Sequence, residues 1–305
     1  MWTVKDIDEQ WIQVSGDVRI KVRATGKGPP LLLLHGYPQT SAMWHRLVPE
    51  LAKDFRVVAT DLRGYGDSSK PPGSPDHSNY SKRSLALDQI QVMAQLGFDQ
   101  FYLVGHDRGA RVAHRLTVDH PHQVKRLVLL DIVPTYDMYQ RTDQAFAQAY
   151  YHWFFLTQPS PLPETLIGAE PDFYLETCLK NWSRNDDPFS TEALAEYRRC
   201  FGDSETIHGT CEDYRAAASI DLEHDHQDRA AKITCPLLVL WGARGFVGQQ
   251  YDVLKMWGER ATNVRGHGLD CGHFLPEEAP EQTYQAVYSF FSQCCLERSD
   301  LTTVV

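Results

Sequence analysis

The sequence lacks most features of a secreted, membrane-spanning or nucleic-acid-binding protein. Its seven cysteines are scattered and have no CxxC spacing, which argues against a disulfide framework or a zinc knuckle. No apolar run approaches the roughly 20 residues that span a bilayer, and the first residues have neither the basic nor the apolar region of a secretory signal. The formal charge of −10 comes without a basic stripe for phosphates. We therefore expect a cytoplasmic protein that binds neither nucleic acid nor membranes.

What the sequence does contain is an alternation of strand and helix patterns. After a predicted hairpin at 11–22, short apolar runs typical of buried parallel strands recur at 31–34, 55–60, 101–104, 124–130, 237–241 and 261–266. From Pro134 the alternation stops, and helical periodicity continues without strands to about Glu212. This pattern predicts an α/β fold with a mostly parallel twisted sheet, helices on both faces and a helical cap insertion. The predicted division is a core of 1–133 and 213–296, a cap of 134–212 and a loose tail of 297–305.

The segment Gly105-His106-Asp107-Arg108-Gly109 lies between a predicted strand and a predicted helix. Small residues on both sides of a central residue at such a junction are typical of a nucleophile elbow. The central residue, Asp107, is ionised at neutral pH and needs no base to activate it. A carboxylate is a competent nucleophile for displacement at saturated carbon, where it forms an alkyl ester. The alternative is that Asp107 only caps the following helix.

An ester on Asp107 must be hydrolysed, which requires a base and a water molecule. His273 lies between the last predicted strand and the last predicted helix, where the histidine of elbow hydrolases is found. The residue that orients this histidine often follows the strand that ends here at Trp241, but residues 242–245 contain no acid. Asp131, at the end of the strand after the elbow helix, is the best-placed substitute. A surface-loop histidine and a turn aspartate are the alternatives.

The loop after the strand 31–34 is expected to supply part of an oxyanion hole. Backbone N–H groups of Tyr37 and Arg108 are the predicted donors. His35 is interpreted as a structural hydrogen-bonding residue in the same loop. Asp61 and Arg63 are expected to pair beneath the site, without a direct role in the reaction.

Two arginines indicate the class of substrate. Arg108 follows the predicted nucleophile, and Arg111 lies about one helical turn along the same face. Two buried guanidinium groups would be costly against a neutral alkane or epoxide, but they suit a carboxylate. The alternative is that Arg111 pairs with Asp107 or Asp131.

The segment Asp221–His226 contains residue types that bind metals, but its run of charges is more typical of a solvated loop. We therefore expect no metal and no cofactor.

The elbow sequence 105–111, together with His152-Trp153 and Tyr214, closely resembles the fluoroacetate dehalogenases, a family with the α/β-hydrolase fold. The resemblance extends from His35 to Phe274. It implies that Asp107 displaces halide from a haloacetate, the small-molecule substrate. Further roles implied by the resemblance are carboxylate binding by Arg108 and Arg111, halide binding by His152, Trp153 and Tyr214, and water activation by His273 with Asp131. Tyr37 departs from the expected phenylalanine, and a homodimer is expected by analogy only.

Three other functions remain open from the sequence. An epoxide hydrolase shares the aspartate, the histidine and the acid, but it usually needs two tyrosines in the lid. A haloalkane dehalogenase would be expected to carry tryptophan at the position of Arg108. A protein that binds a small carboxylate without turnover would have no need for Asp107, Asp131 and His273 together.

Overall fold

The computed structural model describes residues 6–299, with side chains described to residue 292. These residues form one sheet of eight strands, in the order β1-β2-β4-β3-β5-β6-β7-β8. β1 is antiparallel to β2 and β2 to β4, and the other neighbours are parallel. The strands are β1 (Asp8–Gln13), β2 (Arg19–Thr25), β3 (Pro30–Leu34), β4 (Arg56–Thr60), β5 (Phe101–His106), β6 (Val124–Leu130), β7 (Leu237–Gly242) and β8 (Val264–Leu269).

The central strands explain the continuous apolar runs of the sequence. Nearly every residue of β3, β5, β6 and β7 is buried, as expected for parallel strands covered by helices on both faces. β1 lies at one edge, and only one of its six residues is buried. The predicted α/β sheet is therefore confirmed.

The last strand was predicted three residues too early. Its register pairs Leu237 with Val264, so β8 runs from Val264 to Leu269 rather than over 261–266. Ala261 forms only an isolated bridge with Ile233. The apolar residue at the start of the predicted run therefore lies just before the strand and is not part of it.

Helices cover both faces of this sheet and fill the long interval between β6 and β7. Residues 6–299 contain α1 (Val48–Leu51), α2 (Lys82–Gln95), α3 (Asp107–Asp119), α4 (Thr135–Gln140), α5 (Gln144–Ala149), α6 (His152–Phe155), α7 (Leu162–Ala169), α8 (Pro171–Trp182), α9 (Thr191–Phe201), α10 (Ser204–Ala217), α11 (Ile220–Gln227), α12 (Phe246–Gln250), α13 (Val253–Gly258), α14 (Leu275–Glu278) and α15 (Pro280–Ser299). None of the helices within these residues is long and apolar enough to cross a bilayer.

Several predicted boundaries differ from the structure. The predicted solvated loop at Asp221–His226 is helix α11, in which Asp221 contacts Lys82 and Asp225 pairs with Arg115. The predicted tail begins inside α15, because this helix continues to Ser299, and residues 300–305 lie outside the described part of the chain. The boundary at 212 falls within α10, so the division into core and cap stays a prediction.

The strand order brings three loops to one edge of the sheet. Asp107 follows β5, Asp131 follows β6 and His273 lies after β8, so all three come from the carboxyl ends of parallel strands. In an open α/β sheet this edge is where ligands bind.

Candidate active site

The turn between β5 and α3 is too tight for side chains at its flanks. A Cβ at Gly105 would lie 2.6 Å from Cα of Ala110, and one at Gly109 would lie 2.3 Å from the carbonyl oxygen of His35. The central residue, Asp107, has a φ of +45°, a strained conformation for a residue other than glycine. This strand–turn–helix geometry is that of the predicted elbow.

The Asp107 carboxylate points away from its own helix. Its Oδ2 accepts a hydrogen bond from the backbone N–H of Tyr37 at 3.0 Å, whereas the N-cap position of α3 is occupied by His106. The alternative that Asp107 only caps the helix is therefore wrong. Burial by itself would raise the pKa of Asp107, but the charges of His273 and Arg108 hold it below its usual value. The carboxylate is thus ionised and already contacts one of the two predicted oxyanion donors.

His273 and Asp131 form a buried pair across the same edge of the sheet. Nδ1 of His273 lies 2.6 Å from Oδ2 of Asp131, and the backbone N–H of Gly242 donates to Oδ1 of Asp131 at 2.9 Å. Burial lowers the pKa of His273, but the hydrogen bond and charge of Asp131 raise it above its usual value. Because Nδ1 holds the proton shared with Asp131, Nε2 remains available as a base.

The end of β7 helps to hold the acid that β6 supplies. Gly242 is the last residue of β7, and its backbone N–H binds one oxygen of Asp131. Asp131 has a φ of +53°, and burial raises its pKa while the hydrogen bond from His273 opposes that effect.

Arg108 is fully buried and ion-paired. Its Nε donates to Oδ2 of Asp213 at 2.6 Å, and its Nη2 donates to the Asp213 carbonyl oxygen at 2.9 Å. Its Nη1 has no hydrogen-bond partner among the described residues. The guanidinium carbon lies 4.1 Å from the centroid of the Tyr214 ring. Two of the five N–H donors of this cation are therefore used on Asp213, whose carboxylate also pairs with its charge.

Arg111 is buried without a carboxylate partner among the described residues. Its Nη1 donates to Oγ1 of Thr135 at 2.8 Å and to the Val133 carbonyl oxygen at 3.2 Å. Its Nη2 contacts the sulfur of Met138, and its Nε has no partner in the same described part of the chain. Burial and the nearby cation of Arg108 lower the pKa of Arg111. The alternative pairing with Asp107 or Asp131 is therefore wrong.

His152, Trp153 and Tyr214 lie together under the helices of the insertion. All three are buried, and the His152 ring is 5.6 Å from that of Tyr214 and 6.2 Å from the parallel ring of Tyr37. Burial lowers the pKa of His152 to about 3, so its imidazole is neutral. The Trp153 ring lies 4.7 Å from the guanidinium carbon of Arg111. The structure thus brings the three aromatic residues into contact with one another and with both arginines.

Sequence reasoning missed the residues that support these groups. Asp213 follows Arg108 by 105 positions, and Lys82 and Tyr65 also bind its carboxylate. Trp182 packs 4.4 Å from the His152 ring, and its carbonyl oxygen accepts from the backbone N–H of His273. Spacing cannot reveal such pairs, because the partners come from different elements. Only the position of Asp213 next to Tyr214 is a hint.

One predicted pair beneath the site is wrong. Arg63 pairs with Asp88 at 2.6 Å rather than with Asp61. Asp61 instead accepts from the backbone N–H of Ser41 at 2.8 Å and lies 4.0 Å from Arg23. His35 does act as a structural hydrogen-bonding residue, since its Nε2 accepts from the backbone of Leu62.

A second buried acid, Glu277, lies four residues after His273. It accepts hydrogen bonds from Nε2 of Gln39 and, at 3.1 Å, from the hydroxyl of Tyr197. Burial raises the pKa of Glu277 to about 8. This acid therefore links the Tyr37 loop, helix α9 and the His273 loop while it is largely protonated at neutral pH.

The imidazole of His273 is reachable from a cavity of about 190 Å³. Tyr150, Trp182 and Phe246 also line this cavity. A water molecule within it would lie against the ring that the Asp131 pair orients. Among the described side chains, which end at residue 292, we find no group of three or more His, Cys, Asp or Glu placed to hold a metal ion.

Comparison with known proteins shows the family to which the chain belongs. The family described as alpha/beta hydrolase fold matches residues 29–280. A fluoroacetate dehalogenase from Burkholderia sp is 48% identical over 278 residues, which cover 91% of this chain and 91% of the relative. A soluble epoxide hydrolase from Corynebacterium sp. (strain C12) is 34% identical over 280 residues, covering 90% of this chain and 94% of the relative.

A solved alpha/beta hydrolase structure from Nostoc sp PCC 7120 superposes with a TM-score of 0.93 at 61% identity. It covers 95% of this chain and 99% of the other. The chain therefore belongs to the α/β-hydrolase fold family, as its sequence predicts, and is similar to a fluoroacetate dehalogenase along most of its length.

Proposed function

We propose that the protein hydrolyses the carbon–halogen bond of a 2-haloacid such as fluoroacetate. In the first step an oxygen of Asp107 attacks the carbon that bears the halogen, and the halide leaves with the bonding electron pair. The product is an ester between Asp107 and the acid. In the second step water attacks the ester carbonyl of Asp107 and gives a proton to His273. The bond between the carbonyl carbon and the ester oxygen then breaks, His273 returns the proton to that oxygen, and a 2-hydroxy acid leaves the regenerated carboxylate.

The observation that carries this proposal is the buried guanidinium of Arg111. A buried cation without an acid partner is costly, and several kcal/mol of desolvation are typical for such an ion. A substrate carboxylate would supply the missing negative charge and accept charge-assisted hydrogen bonds. With a neutral substrate only the nearby charge of Asp107 would offset this cation, and that charge is lost when the ester forms.

The environment of Asp107 favours displacement over proton transfer. Its pKa is held below the usual value, so the carboxylate is a nucleophile at neutral pH and not an acid. His152, Trp153 and Tyr214 together offer imidazole, indole and phenol N–H or O–H groups. Such donors in a dry pocket would stabilise negative charge as it develops on the departing halide.

Ester formation prepares the second step. The negative charge of Asp107 contributes to the raised pKa of His273, and this charge disappears when the carboxylate becomes an ester. Loss of this charge lowers the His273 pKa, which favours the neutral imidazole that can accept a proton from water. The N–H of Tyr37, which contacts Oδ2 of Asp107 at 3.0 Å, is placed to stabilise the oxyanion formed on that same carboxyl group.

The relatives favour a dehalogenase and name the chief competitor. The Burkholderia fluoroacetate dehalogenase is 48% identical, against 34% for the Corynebacterium epoxide hydrolase. An epoxide hydrolase could use the same acids and histidine, and Tyr150 and Tyr214, both between β6 and β7, are buried. That reaction, however, has no role for the unpaired cation of Arg111.

A substrate panel tests the proposal. Halide release is measured with fluoroacetate, chloroacetate and a 1-chloroalkane, and diol formation is measured with an aryl epoxide. We expect turnover of the haloacetates only, and none in Asp107→Asn. A single turnover in heavy-oxygen water should place label in Asp107, because water attacks the carbonyl carbon of the ester. Diol formation without haloacetate turnover, or an unlabelled Asp107 after turnover, would overturn the proposal.

A further inference from the structure

The two arginines of the site have different surroundings, although both follow the same nucleophile on one helix. Arg108 is paired with Asp213 through two hydrogen bonds of 2.6 and 2.9 Å. Arg111 has no such acid within the described residues, and its hydrogen bonds there go to Thr135, Val133 and Met138. An ion pair already neutralises Arg108, so the two cations cannot contribute equally to binding an anion.

Asp213 is itself rigidly held and ionised. Its Oδ2 accepts from the Tyr65 hydroxyl at 2.8 Å as well as from Arg108, and its Oδ1 binds Nζ of Lys82. Burial would raise the pKa of Asp213, but the cations of Arg108 and Lys82 hold it far below its usual value. Three donors from different elements therefore fix this carboxylate, and Arg108 is fixed in turn.

Asp213 holds the Arg108 guanidinium over the face of the Tyr214 ring. The guanidinium carbon lies 4.1 Å from the ring centroid, well inside the range of a cation–π interaction. A cation on the face of a phenol withdraws electron density from the ring, and its O–H becomes a stronger hydrogen-bond donor. Tyr214 is one of the three donors that the proposed function assigns to the leaving halide.

We propose that Asp213 is a positioning residue that keeps the Arg108 guanidinium on Tyr214 and thereby sets how strongly the Tyr214 hydroxyl stabilises the departing halide. This inference rests on the proposed function. It assigns most of the substrate's carboxylate charge to Arg111 and gives Arg108 a second role at the leaving group. Fluoride is the poorest leaving halide and the strongest hydrogen-bond acceptor, so it depends most on this donor.

The test compares halides in Asp213→Asn, which removes the charge but keeps the shape of the side chain. We expect kcat/KM for fluoroacetate to fall roughly tenfold more than kcat/KM for bromoacetate, the scale of one desolvated cation–π contact. A residue that only stabilises the fold would lower both values by the same factor. Equal loss for the two substrates would overturn the inference.

Asp221→Asn is the matched control. The Asp221 carboxylate accepts a hydrogen bond from the backbone N–H of Lys82 and lies 3.4 Å from its ammonium group, as part of the same buried charge cluster. In the described part of the chain we find no hydrogen bond or ion pair between Asp221 and Arg108. This variant should leave the ratio of fluoroacetate to bromoacetate turnover unchanged. A ratio that moves as much as in Asp213→Asn would show that any loss of charge in the cluster suffices, and would also refute the assignment.

Two further variants test whether the effect survives without loss of folding and whether it acts through the Tyr214 hydroxyl. Tyr65→Phe removes one hydrogen bond to Asp213 without changing charge, and it should shift the ratio in the same direction by less, even where Asp213→Asn folds poorly. In a Tyr214→Phe background, Asp213→Asn should no longer change the ratio, because the hydroxyl through which it acts is gone. A persisting change would exclude Tyr214 as the route.

A binding measurement separates this inference from the proposed function. Bromide can be titrated against intrinsic tryptophan fluorescence, since Trp153 lies 6.4 Å from the Tyr214 ring. Asp213→Asn should weaken bromide binding relative to Asp221→Asn, whether or not haloacetates are turned over. If the native protein releases no halide from any haloacetate, the proposed function fails, and this titration alone decides on Asp213. Equal bromide affinity in the two variants would overturn its positioning role.

Discussion

Replacement of Arg111 by methionine should separate substrate binding from folding. The guanidinium lies 4.7 Å from the Trp153 ring, donates to the hydroxyl of Thr135 and the carbonyl of Val133, and contacts the sulfur of Met138. Methionine keeps an unbranched apolar chain against Trp153 and removes the charge. If Arg111 exists to bind a carboxylate, the variant should fold normally and bind haloacetates poorly.

The magnitude follows from the contacts. A guanidinium can give a carboxylate two charge-assisted hydrogen bonds, each worth about 1.5–3 kcal/mol. The loss of about 3–6 kcal/mol corresponds to a fall in kcat/KM of roughly 10² to 10⁴. In stability, the two lost hydrogen bonds and the relief of burying an uncompensated cation act in opposite directions. We therefore expect the free energy of unfolding to change by no more than about 2 kcal/mol.

The assay compares chloroacetate with the neutral chloroacetamide, which has a similar size and no carboxylate. The fall in chloride release should be large for the acid and small for the amide in the Arg111→Met variant. Arg115→Met is the control, because Arg115 is a buried arginine one turn further along α3 that pairs with Asp119, Asp225 and Asp228. This control should lose stability while it keeps its KM for chloroacetate.

Two results would refute the reasoning. An Arg111→Met variant with unchanged kcat/KM for chloroacetate would show that the cation does not bind the substrate. An equal loss for the acid and the amide would show that Arg111 shapes the pocket and does not recognise charge.

Three other predictions follow from the acid–base groups. His273→Asn should complete the first step only, and intact-protein mass spectrometry with chloroacetate should find a carboxymethyl ester on Asp107; an unmodified protein would contradict this. The acid limb of the kcat–pH profile should reflect protonation of His273, whose raised pKa depends on Asp131. Asp131→Asn should therefore shift that limb to lower pH. It should also reduce kcat by roughly 10³-fold or more, on the order seen when the acid of a catalytic triad is removed. The native state keeps the proton of Glu277 up to about pH 8, whereas the unfolded chain loses it near 4.5. The free energy of unfolding should therefore fall as pH rises between these values, by up to about 5 kcal/mol. Denaturant titrations should show a weaker pH dependence of stability for Glu277→Gln, and an equal pH dependence in the two proteins would count against a buried protonated acid.

The sequence predicts the fold well because its strong signals are local. A buried parallel strand is a short apolar run, and an elbow needs two small residues at fixed positions beside Asp107. Both signals are contained within a few residues, so β3, β5 and β6 were placed to within a residue or two. β8 was misplaced because only two of its residues, Leu269 and Val264, are apolar in a run interrupted by arginine, glycine and histidine.

The candidate site was only partly predictable, because its charge balance is not local. The sequence indicates that Arg108 and Arg111 lie near the nucleophile, but it cannot show which of them is paired. Asp213 arrives from α10, more than a hundred residues later, and neutralises Arg108 alone. By their spacing from Asp107 the two arginines look equivalent, but in the folded protein only Arg108 has an acid partner.

The same asymmetry extends to the two acids that flank His273. Asp107 and Asp131 are both buried, both have positive φ, and both lie at the carboxyl ends of neighbouring strands. Yet the pKa of Asp107 is lowered and that of Asp131 is raised. Asp107 faces two cationic arginines as well as His273, while Asp131 has only His273 and one backbone N–H to offset its burial. Two acids whose surroundings shift their pKa values in opposite directions are suited to different tasks. The acid kept ionised by several cations is the one able to attack carbon, and the acid that bonds Nδ1 of His273 is the one able to orient the base.

Exchanging the carboxylate for an amide should therefore have different consequences at the two positions. Asp107→Asn should form no ester at all, whereas Asp131→Asn should form the ester and hydrolyse it slowly. If Asp131→Asn also formed no ester, the two carboxylates would have to act together in the first step, and the division of roles between them would be wrong.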